Sequence, residues 1–244
     1  MNKTANYNLT LLVPVYNEVE NFQRIEKELG EYLDKTTTIK VCVLFVDDGS
    51  TDGSREQITR ICGSRNNFFY VLLDGNYGLS TALKAGIDST FSEFTGYIDA
   101  DLQTCPADID LLIPFMDSYT MVTGIRVIRN DRFVKRLSSK IANSFRRFMT
   151  KDGIEDTGCP LKIIRTTNAK KIPFFNGMHR FLAALILLQE GGSVKQVPVR
   201  HLPRTAGKSK FHVWNRLKGP FIDCFAYRWM KKRYIQVHIE TGNL

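Results

Sequence analysis

The amino-acid sequence predicts an α/β domain built on a mostly parallel central sheet, and three observations carry that prediction. Strand-like and helix-like segments alternate four times in the first half of the chain. The first strand, Leu9 to Val15, is almost continuously apolar, as strands covered on both faces of a parallel sheet are. Short polar stretches follow directly after strands, at the carboxyl ends where open α/β sheets gather their ligands. At 244 residues with 43% apolar content, the chain fits one large domain or one domain with an appendage.

After the first strand come Pro14-Val15-Tyr16-Asn17-Glu18 and a helix from about Asn21 to Leu33, with Phe22, Ile25, Leu29 and Leu33 at helical spacing. A β-branched strand from Ile39 to Val46 breaks at Asp47-Asp48-Gly49-Ser50-Thr51-Asp52-Gly53, and a helix then runs to about Ile61. Phe68 to Leu73 reads as a third strand, Asn76-Tyr77-Gly78-Leu79 leads into a helix over Ser80–Thr90, and Phe94 to Ile98 is the fourth strand. The second half is less regular. It offers strands at Met121–Ile125, Leu161–Ile164 and Val194–Val199, a basic helix from Phe133 to about Met149, and a helix from Arg180 to about Glu190. From Val213 to Tyr234, Trp214, Leu217, Phe221, Phe225 and Trp229 recur every three or four residues and Lys231-Lys232-Arg233 follow, a pattern that fits an interfacial amphipathic helix as well as a packed C-terminal one.

The net charge of +9 hides a division. Residues 1–125 carry 9 Lys and Arg against 18 Asp and Glu, and residues 126–244 carry 25 against 7. One half suits a cation and the other suits anions. No zinc-finger spacing, RNP-type motif or helix-turn-helix signature accompanies the basic half, so nucleic acid is not the expected partner; phosphate groups of a small substrate or an anionic membrane surface are. No segment approaches the roughly 18–20 uninterrupted apolar residues that span a bilayer, and Met1-Asn2-Lys3-Thr4 opens no signal-peptide pattern, so a cytoplasmic location is expected. Five cysteines without a C-x-x-C pair read as reduced packing residues, Cys105 and Cys159 included.

The chemistry centres on Asp99-Ala100-Asp101-Leu102-Gln103. In an extended backbone, residues two apart share a side, so Asp99, Asp101 and Gln103 converge at the end of the fourth strand. Oxygen-only ligands favour a hard divalent ion, Mg²⁺ or Mn²⁺, that keeps positions open for substrate phosphates. For Asp47 and Asp52, an Asx turn and a helix N-cap are preferred over ligand contact.

Five motifs, Pro14-Val-Tyr-Asn-Glu18, Asp47-Asp-Gly-Ser-Thr-Asp52, Asn76-Tyr-Gly-Leu-Ser-Thr-Ala82, Asp99-Ala-Asp-Leu-Gln103 and Arg204-Thr-Ala-Gly-Lys-Ser-Lys210, stand in the order seen in inverting family 2 glycosyltransferases. The chain resembles the dolichyl-phosphate mannosyltransferase branch most. It also resembles bacterial polyprenyl-phosphate glycosyltransferases through Asp156-Thr-Gly-Cys-Pro-Leu-Lys162 and His179-Arg-Phe-Leu182. The resemblance covers roughly residues 9–235.

That resemblance implies a GT-A-like domain over residues 1–211, with a nucleotide half of about 1–125 and an acceptor half of about 126–211, and an amphipathic membrane-interface segment at 212–244. It implies that Pro14, Tyr16, Glu18, Val46 and Asp48 line the nucleotide-base pocket, with Asp99, Ala100 and Asp101 completing the nucleotide-sugar site. It further implies that Asp99, Asp101 and Gln103 hold Mg²⁺ or Mn²⁺ across the donor's phosphates, where the cation offsets charge building on the leaving phosphate. The expected acceptor is a polyprenyl phosphate, gripped by Arg126, Arg204 and Lys210, with Arg132 and Arg136 as further candidates. Asp101, Arg126 and Asp156 are the expected catalytic residues, Asp156 either as a base or as a group that orients an arginine. His179 and Arg180 would contact the acceptor or pack the base of the site. The expected reaction is inverting transfer from a GDP- or UDP-sugar at the cytoplasmic face of a membrane. The alternatives are a glycan-extending transferase with Asp156 as base and an inactive nucleotide-sugar-binding subunit. Many relatives continue into transmembrane hairpins past this point, so an interfacial helix, a separate membrane-anchoring subunit or a longer chain is expected to supply the anchor.

Overall fold

The computed structural model describes residues 3–36, 38–126, 144–203 and 215–235. Seven strands form one sheet: β1 Leu9–Val15, β2 Val41–Asp47, β3 Phe68–Leu72, β4 Phe94–Tyr97, β5 Met121–Arg126, β6 Lys162–Arg165 and β7 Val194–Val199. Their order is β3-β2-β1-β4-β6-β5-β7, parallel throughout except that β6 runs antiparallel to both neighbours. This is the GT-A-like α/β architecture expected. β2 is buried at every position and β1 at all but Pro14, which explains their unbroken apolar sequences.

The two sheet faces bury different side chains. Leu9, Leu11, Val13 and Val15 of β1 pack with Val43 and Phe45 of β2 and with Phe22, Ile25, Leu29 and Leu33 of helix α1 (Phe22–Lys35). Opposite, Leu12, Leu44 and Val46 pack against Ala82, Leu83 and Ile87 of helix α3 (Leu79–Asp88). Helix α2 (Ser54–Ser64) buries Ile58 and Ile61 on the α1 side.

Helices in the second half are shorter than their sequence suggests. Pro106 and Pro114 lie at the starts of 3-10 turns either side of the four-residue helix α4 (Ile109–Leu112). Residues 144–150 form helix α5, the described end of the expected basic helix. After β6 comes α6 (Thr166–Lys170). The helix expected over 180–190 is instead a 3-10 turn, Met178–Phe181, followed by α7 (Leu182–Ile186), whose five residues are all buried. Helix α8 (Asn215–Arg233) packs through Cys224 and Tyr227, and the Tyr227 ring stacks on Phe181 with centroids 5.9 Å apart.

The loops at the carboxyl ends of β1 and β2 are laced together. The backbone N–H of Asn17 donates to Ser50 Oγ at 2.9 Å, that of Thr51 to Asn17 Oδ1 at 2.8 Å, that of Glu18 to Ser54 Oγ at 3.0 Å and that of Val19 to Asp52 Oδ2 at 3.0 Å. Gly49 has φ +74°, and a Cβ there would stand 2.4 Å from the backbone carbon of Gly75 and 2.6 Å from the nitrogen of Asn76. Gly49→Ala is therefore expected to cost about 1–3 kcal/mol in backbone strain and a similar amount in forced separation of the loops after β2 and β3. Urea denaturation checks this: an unchanged midpoint would contradict the close approach.

Candidate active site

All the polar motifs of the first half meet at one rim of the sheet, and β6 adds the start of a strand to it. Because β6 is antiparallel, its first residue, Lys162, pairs in register with Tyr97 at the end of β4 and with Thr123 of β5. Acidic residues after β4, Lys162, and Arg126 at the end of β5 thus lie along one edge.

The Asp99–Gln103 segment is not extended. The backbone N–H of Leu102 donates to the carbonyl of Asp99 at 3.1 Å, closing a turn, and Leu102 has φ +46°, a conformation bulky residues rarely adopt. Asp99, Asp101 and Gln103 therefore do not share one side of a strand, and a turn brings Asp99 and Asp101 together instead. Asp101 Oδ1 accepts from the Gln103 N–H at 3.1 Å. The guanidinium of Arg24, on α1, clamps the turn from below by donating to the carbonyls of Asp101 (3.2 Å) and Leu102 (3.0 Å). Ala100 packs its methyl into the core.

The Tyr97 hydroxyl donates a hydrogen bond to Asp99 Oδ1. Burial and the charge of Asp101 push its carboxyl up to about 6, against the opposing pull of the Tyr97 hydroxyl, Lys162 and Arg126. Two carboxylates that repel one another at a sheet rim form a donor set a divalent cation would relieve. Among the described residues no three His, Cys, Asp or Glu side chains make a full cage. An incomplete all-oxygen set of this kind fits a hard cation that completes its shell with phosphate oxygens.

Arg126 and Asp156 form a two-pronged ion pair, Nε to Oδ2 at 2.7 Å and Nη2 to Oδ1 at 2.8 Å, and the Arg126 backbone N–H adds a third contact to Oδ2 at 3.3 Å. Burial works against the guanidinium's charge, but Asp156 outweighs it and its pKa is raised. Gly158 leaves room for this pair, since a Cβ there would lie 3.0 Å from Arg126 Nη2.

Lys162 closes the Asp156-Thr-Gly-Cys-Pro-Leu-Lys162 motif, but its sequence context gives it no site role. Only 3% exposed, its ammonium donates to the Cys159 carbonyl and sits 5.9 Å from the Tyr97 ring centroid. Burial lowers its pKa, while Asp156 and Asp99 favour its charge. No charge run marked it, because Asp156 and Asp99, which favour its charge, stand in the loops before β6 and after β4.

The nucleotide-pocket candidates divide. Tyr16 is exposed on the loop after β1, Pro14 is half-buried, and Glu18 accepts from Asn21 Nδ2 at 2.6 Å. Asp48 is buried, its carboxylate accepting the N–H groups of Tyr77 and Gly78, both at 2.8 Å, and Asn76 Nδ2 at 3.2 Å. It ties the β2 loop to the N-terminus of α3. Val46 departs from expectation: fully buried in the core beside Leu12, Ala82 and Leu83, its side chain lines no open pocket, because period-2 alternation aims it at α3. Asp47 accepts from Arg55 Nε at 2.6 Å and from the Ser50 N–H, and Asp52 from the Ser54 N–H at 3.0 Å. Both hold loop geometry, but the helix N-cap expected among them is Gly53, which makes no side-chain cap bond. Arg132, Arg136, Arg204 and Lys210 lie outside the described residues; the chain leading to Arg204 passes the acidic turn, where the Leu202 N–H donates to the Gln103 carbonyl at 2.7 Å.

His179 is tied to α3 by a 2.8 Å contact between its Nδ1 and Ser80 Oγ. Ser80 Oγ already accepts the N–H groups of Gly177 (3.2 Å) and His179 (3.4 Å), so its own proton goes to Nδ1 and the imidazole carries its proton on Nε2. Burial, with Arg180 and Lys162 nearby, pushes the imidazole down to about 3. The unfolded chain, titrating near 6.5, binds the proton first, so stability should be full above about pH 6.5 and decline as pH falls towards 3. His179→Gln should flatten that decline. Urea midpoints at pH 7 and pH 5 for both proteins test it, and an equal decline in the two would count against a neutral buried imidazole.

Comparison with known proteins adds kinship to this geometry. The model of the family described as glycosyl transferase family 2 matches residues 10–172. Dodecaprenyl-phosphate galacturonate synthase of Rhizobium johnstonii is 28% identical over 216 residues, covering 84% of this chain and 62% of that protein. Undecaprenyl-phosphate 4-deoxy-4-formamido-L-arabinose transferase of Edwardsiella ictaluri is 29% identical over 214 residues, covering 83% of this chain and 62% of that protein. The chain thus spans less than two thirds of the length of both relatives. Among solved structures, glucosyl-3-phosphoglycerate synthase from Mycobacterium tuberculosis, with Mn²⁺, UDP and glucosyl-3-phosphoglycerate, superposes with TM-score 0.68 at 14% identity, covering 94% of this chain and 81% of that one. The mannosyltransferase PcManGT from Pyrobaculum calidifontis, with GDP-Man and Mn²⁺, superposes with TM-score 0.65 at 17% identity, covering 97% of this chain and 67% of that one. These likenesses are of fold.

Proposed function

Because the chain belongs to glycosyl transferase family 2, we propose that it moves a sugar, with inversion, from a GDP- or UDP-sugar to a polyprenyl phosphate at the cytoplasmic face of a membrane. The observation that carries this reading is the occupation of Asp156: both of its oxygens hold Arg126, so this carboxylate positions a cation. A hydroxyl acceptor needs a base. A phosphate monoester with a second pKa of about 6 is already largely dianionic at neutral pH and needs an anchor instead. The names of the two curated relatives, a dodecaprenyl-phosphate and an undecaprenyl-phosphate enzyme, support the same class of acceptor.

In this reading the loops after β1 and β2, with Tyr16 and Glu18, take the nucleotide, and Asp48 keeps the β2 and α3 loops in register around it. Asp99 and Asp101, with Gln103 as a further oxygen, hold Mg²⁺ or Mn²⁺, which when bound offsets charge on the departing diphosphate. Arg126, pre-oriented by Asp156, draws the acceptor phosphate towards the sugar against the donor's negative charge. Arg204 and Lys210 are the further phosphate anchors, and Arg132 and Arg136 follow them. A glycan-extending reaction would need Asp156 free of Arg126, and an inactive nucleotide-sugar-binding subunit would have no use for an acceptor-side cation such as Arg126. The membrane anchor is α8, a separate membrane subunit, or further chain; among the described residues no helix is long and apolar enough to cross a membrane.

Incubating purified protein with GDP- and UDP-sugars, with and without undecaprenyl or dolichyl phosphate, tests the reading directly. A lipid-linked phosphosugar is the expected product, and preference for a hydroxyl sugar acceptor would overturn it. Lys210→Ala is expected to reduce transfer at saturating donor by about ten- to a hundredfold, more than it weakens donor affinity measured by calorimetry.

A further inference from the structure

The chain leaves β7 at the rim that carries the acidic turn. β7 is parallel to β5, and its last residue, Val199, pairs in register with Arg126. The next residues are fastened twice. Asp108, which ends the 3-10 turn Pro106–Asp108, accepts the Arg200 backbone N–H on Oδ2 at 2.7 Å and the Arg200 guanidinium on Oδ1, from Nε at 2.8 Å and Nη2 at 2.5 Å. Two residues on, the Leu202 N–H donates to the Gln103 carbonyl at 2.7 Å, and the Gln103 N–H donates to Asp101 Oδ1 at 3.1 Å. Gln103 therefore touches a candidate cation ligand through its N–H and the chain after β7 through its carbonyl.

The Asp108–Arg200 pair is lopsided. The Asp108 side chain is 2% exposed and that of Arg200 62%. A guanidinium so open to water gains little stability from an ion pair, because solvent serves it nearly as well. The buried carboxylate does something a surface pair does not: it grips the main chain of Arg200 as well as its side chain, and so fixes the path of the backbone as it leaves the sheet.

That path leads to Arg204. One residue, Pro203, stands between Leu202 and Arg204. Its ring locks φ near about −65° and holds the residue before it to extended conformations, so little torsional freedom separates the bond at Gln103 from the entry to Arg204-Thr-Ala-Gly-Lys-Ser-Lys210.

We propose that Asp108 is a positioning residue for the acceptor: by pinning the Arg200 main chain, and with it Leu202 against Gln103, it sets where the motif Arg204–Lys210 begins relative to the acidic turn. The proposal rests on the polyprenyl-phosphate reading for the role of that motif. Asp108 acts through Arg200 and Leu202, so its effect belongs to the acceptor and not to the donor.

Two substitutions in the pair pull stability and acceptor binding apart. Asp108→Ala frees the Arg200 backbone and strands no charge, since the guanidinium already faces water. Arg200→Gln keeps the backbone contact and strands a buried carboxylate. Asp108→Ala is expected to raise the acceptor KM about tenfold, with kcat and donor KM within about twofold of wild type. Arg200→Gln should lower Tm more than Asp108→Ala does, yet raise the acceptor KM only about two- to threefold. Pro203→Gly, at an exposed position, should raise the acceptor KM while the bond from Leu202 to Gln103 persists. Hydrogen exchange reads the pin without any acceptor: the Leu202 amide should exchange about tenfold faster in Asp108→Ala and at the wild-type rate in Pro203→Gly.

Acceptor defects that follow the order of thermal stability, equal losses in donor and acceptor KM, or unchanged Leu202 exchange in Asp108→Ala would each overturn the proposal. A water-soluble short-chain prenyl phosphate serves as the acceptor in these assays. If wild type glycosylates no prenyl phosphate while Leu202 exchange responds as stated, the polyprenyl-phosphate reading fails and the pin stands, with the acceptor KM then read on the hydroxyl sugar that wild type prefers.

Discussion

Asp101→Asn is expected to lower sugar transfer by about 10²–10³-fold while leaving the fold intact. Asparagine keeps an oxygen for the Gln103 N–H and so preserves the turn that Arg24 clamps, but it removes one of the two charges that a divalent cation would bridge. Removing that charge also removes the repulsion that helps hold the Asp99 carboxyl at about 6, so Asp99 should ionise at lower pH in the variant. Calorimetric titration with Mn²⁺ should show the loss of affinity directly. Chelation with EDTA should reproduce the defect in wild type, and added Mn²⁺ or Mg²⁺ should reverse it there and not in the variant. Full wild-type turnover in metal-free buffer would remove the cation from the reaction.

Arg126→Ala is expected to be nearly as damaging, for two separable reasons. It withdraws the anchor for the acceptor phosphate, worth about ten- to a hundredfold in transfer at saturating donor. It also takes the guanidinium from a carboxylate only 7% exposed, and breaking a buried ion pair from one side costs about 3–5 kcal/mol. The double variant Arg126→Met/Asp156→Leu should recover most of the stability and none of the transfer. Asp156→Asn distinguishes positioning from base catalysis. With a positioning role it should lose about tenfold, because Arg126 retains one acceptor oxygen, and its pH–rate profile should keep the wild-type shape. A dead Asp156→Asn enzyme whose alkaline limb has vanished, with a hydroxyl sugar as the preferred acceptor, would restore Asp156 as the base and the glycan-extending reaction with it.

What could be read from the residues was what local pattern controls. The strands Leu9–Val15 and Val41–Asp47 are apolar because both faces are covered, and Phe22, Ile25, Leu29 and Leu33 repeat at helical spacing because one face of α1 meets the sheet. The failures lie where distant contacts overrule that pattern. Asp99-Ala100-Asp101 reads as the end of a strand, yet Leu102 is held in a left-handed conformation with Arg24, 78 residues earlier, donating to its carbonyl. Val46 reads as a pocket residue by resemblance, while its strand phase, shared with Leu44, places it in the core. Leu182 to Ile186 shows no amphipathic stripe because every face is buried. The Arg126–Asp156 pair spans 30 residues of sequence and Ser80–His179 spans 99, so neither has a local signature.

The reversed direction of β6 bears on how such a chain could diversify. Antiparallel neighbours can be joined by a two-residue turn, yet between Arg126 of β5 and Lys162 of β6 the chain makes an excursion through residues 127–161. Loop-closure entropy grows only as the logarithm of length, so the longer connection costs about 2–3 kcal/mol more than the tight turn would. Its two ends are pinned by the β5–β6 ladder whatever lies between them. That connection is no free appendage, since Met149, Ile154, Cys159 and Leu161 bury into the core and Asp156 pairs with Arg126 of β5, so any change of acceptor chemistry within it has to keep those four side chains and that pair.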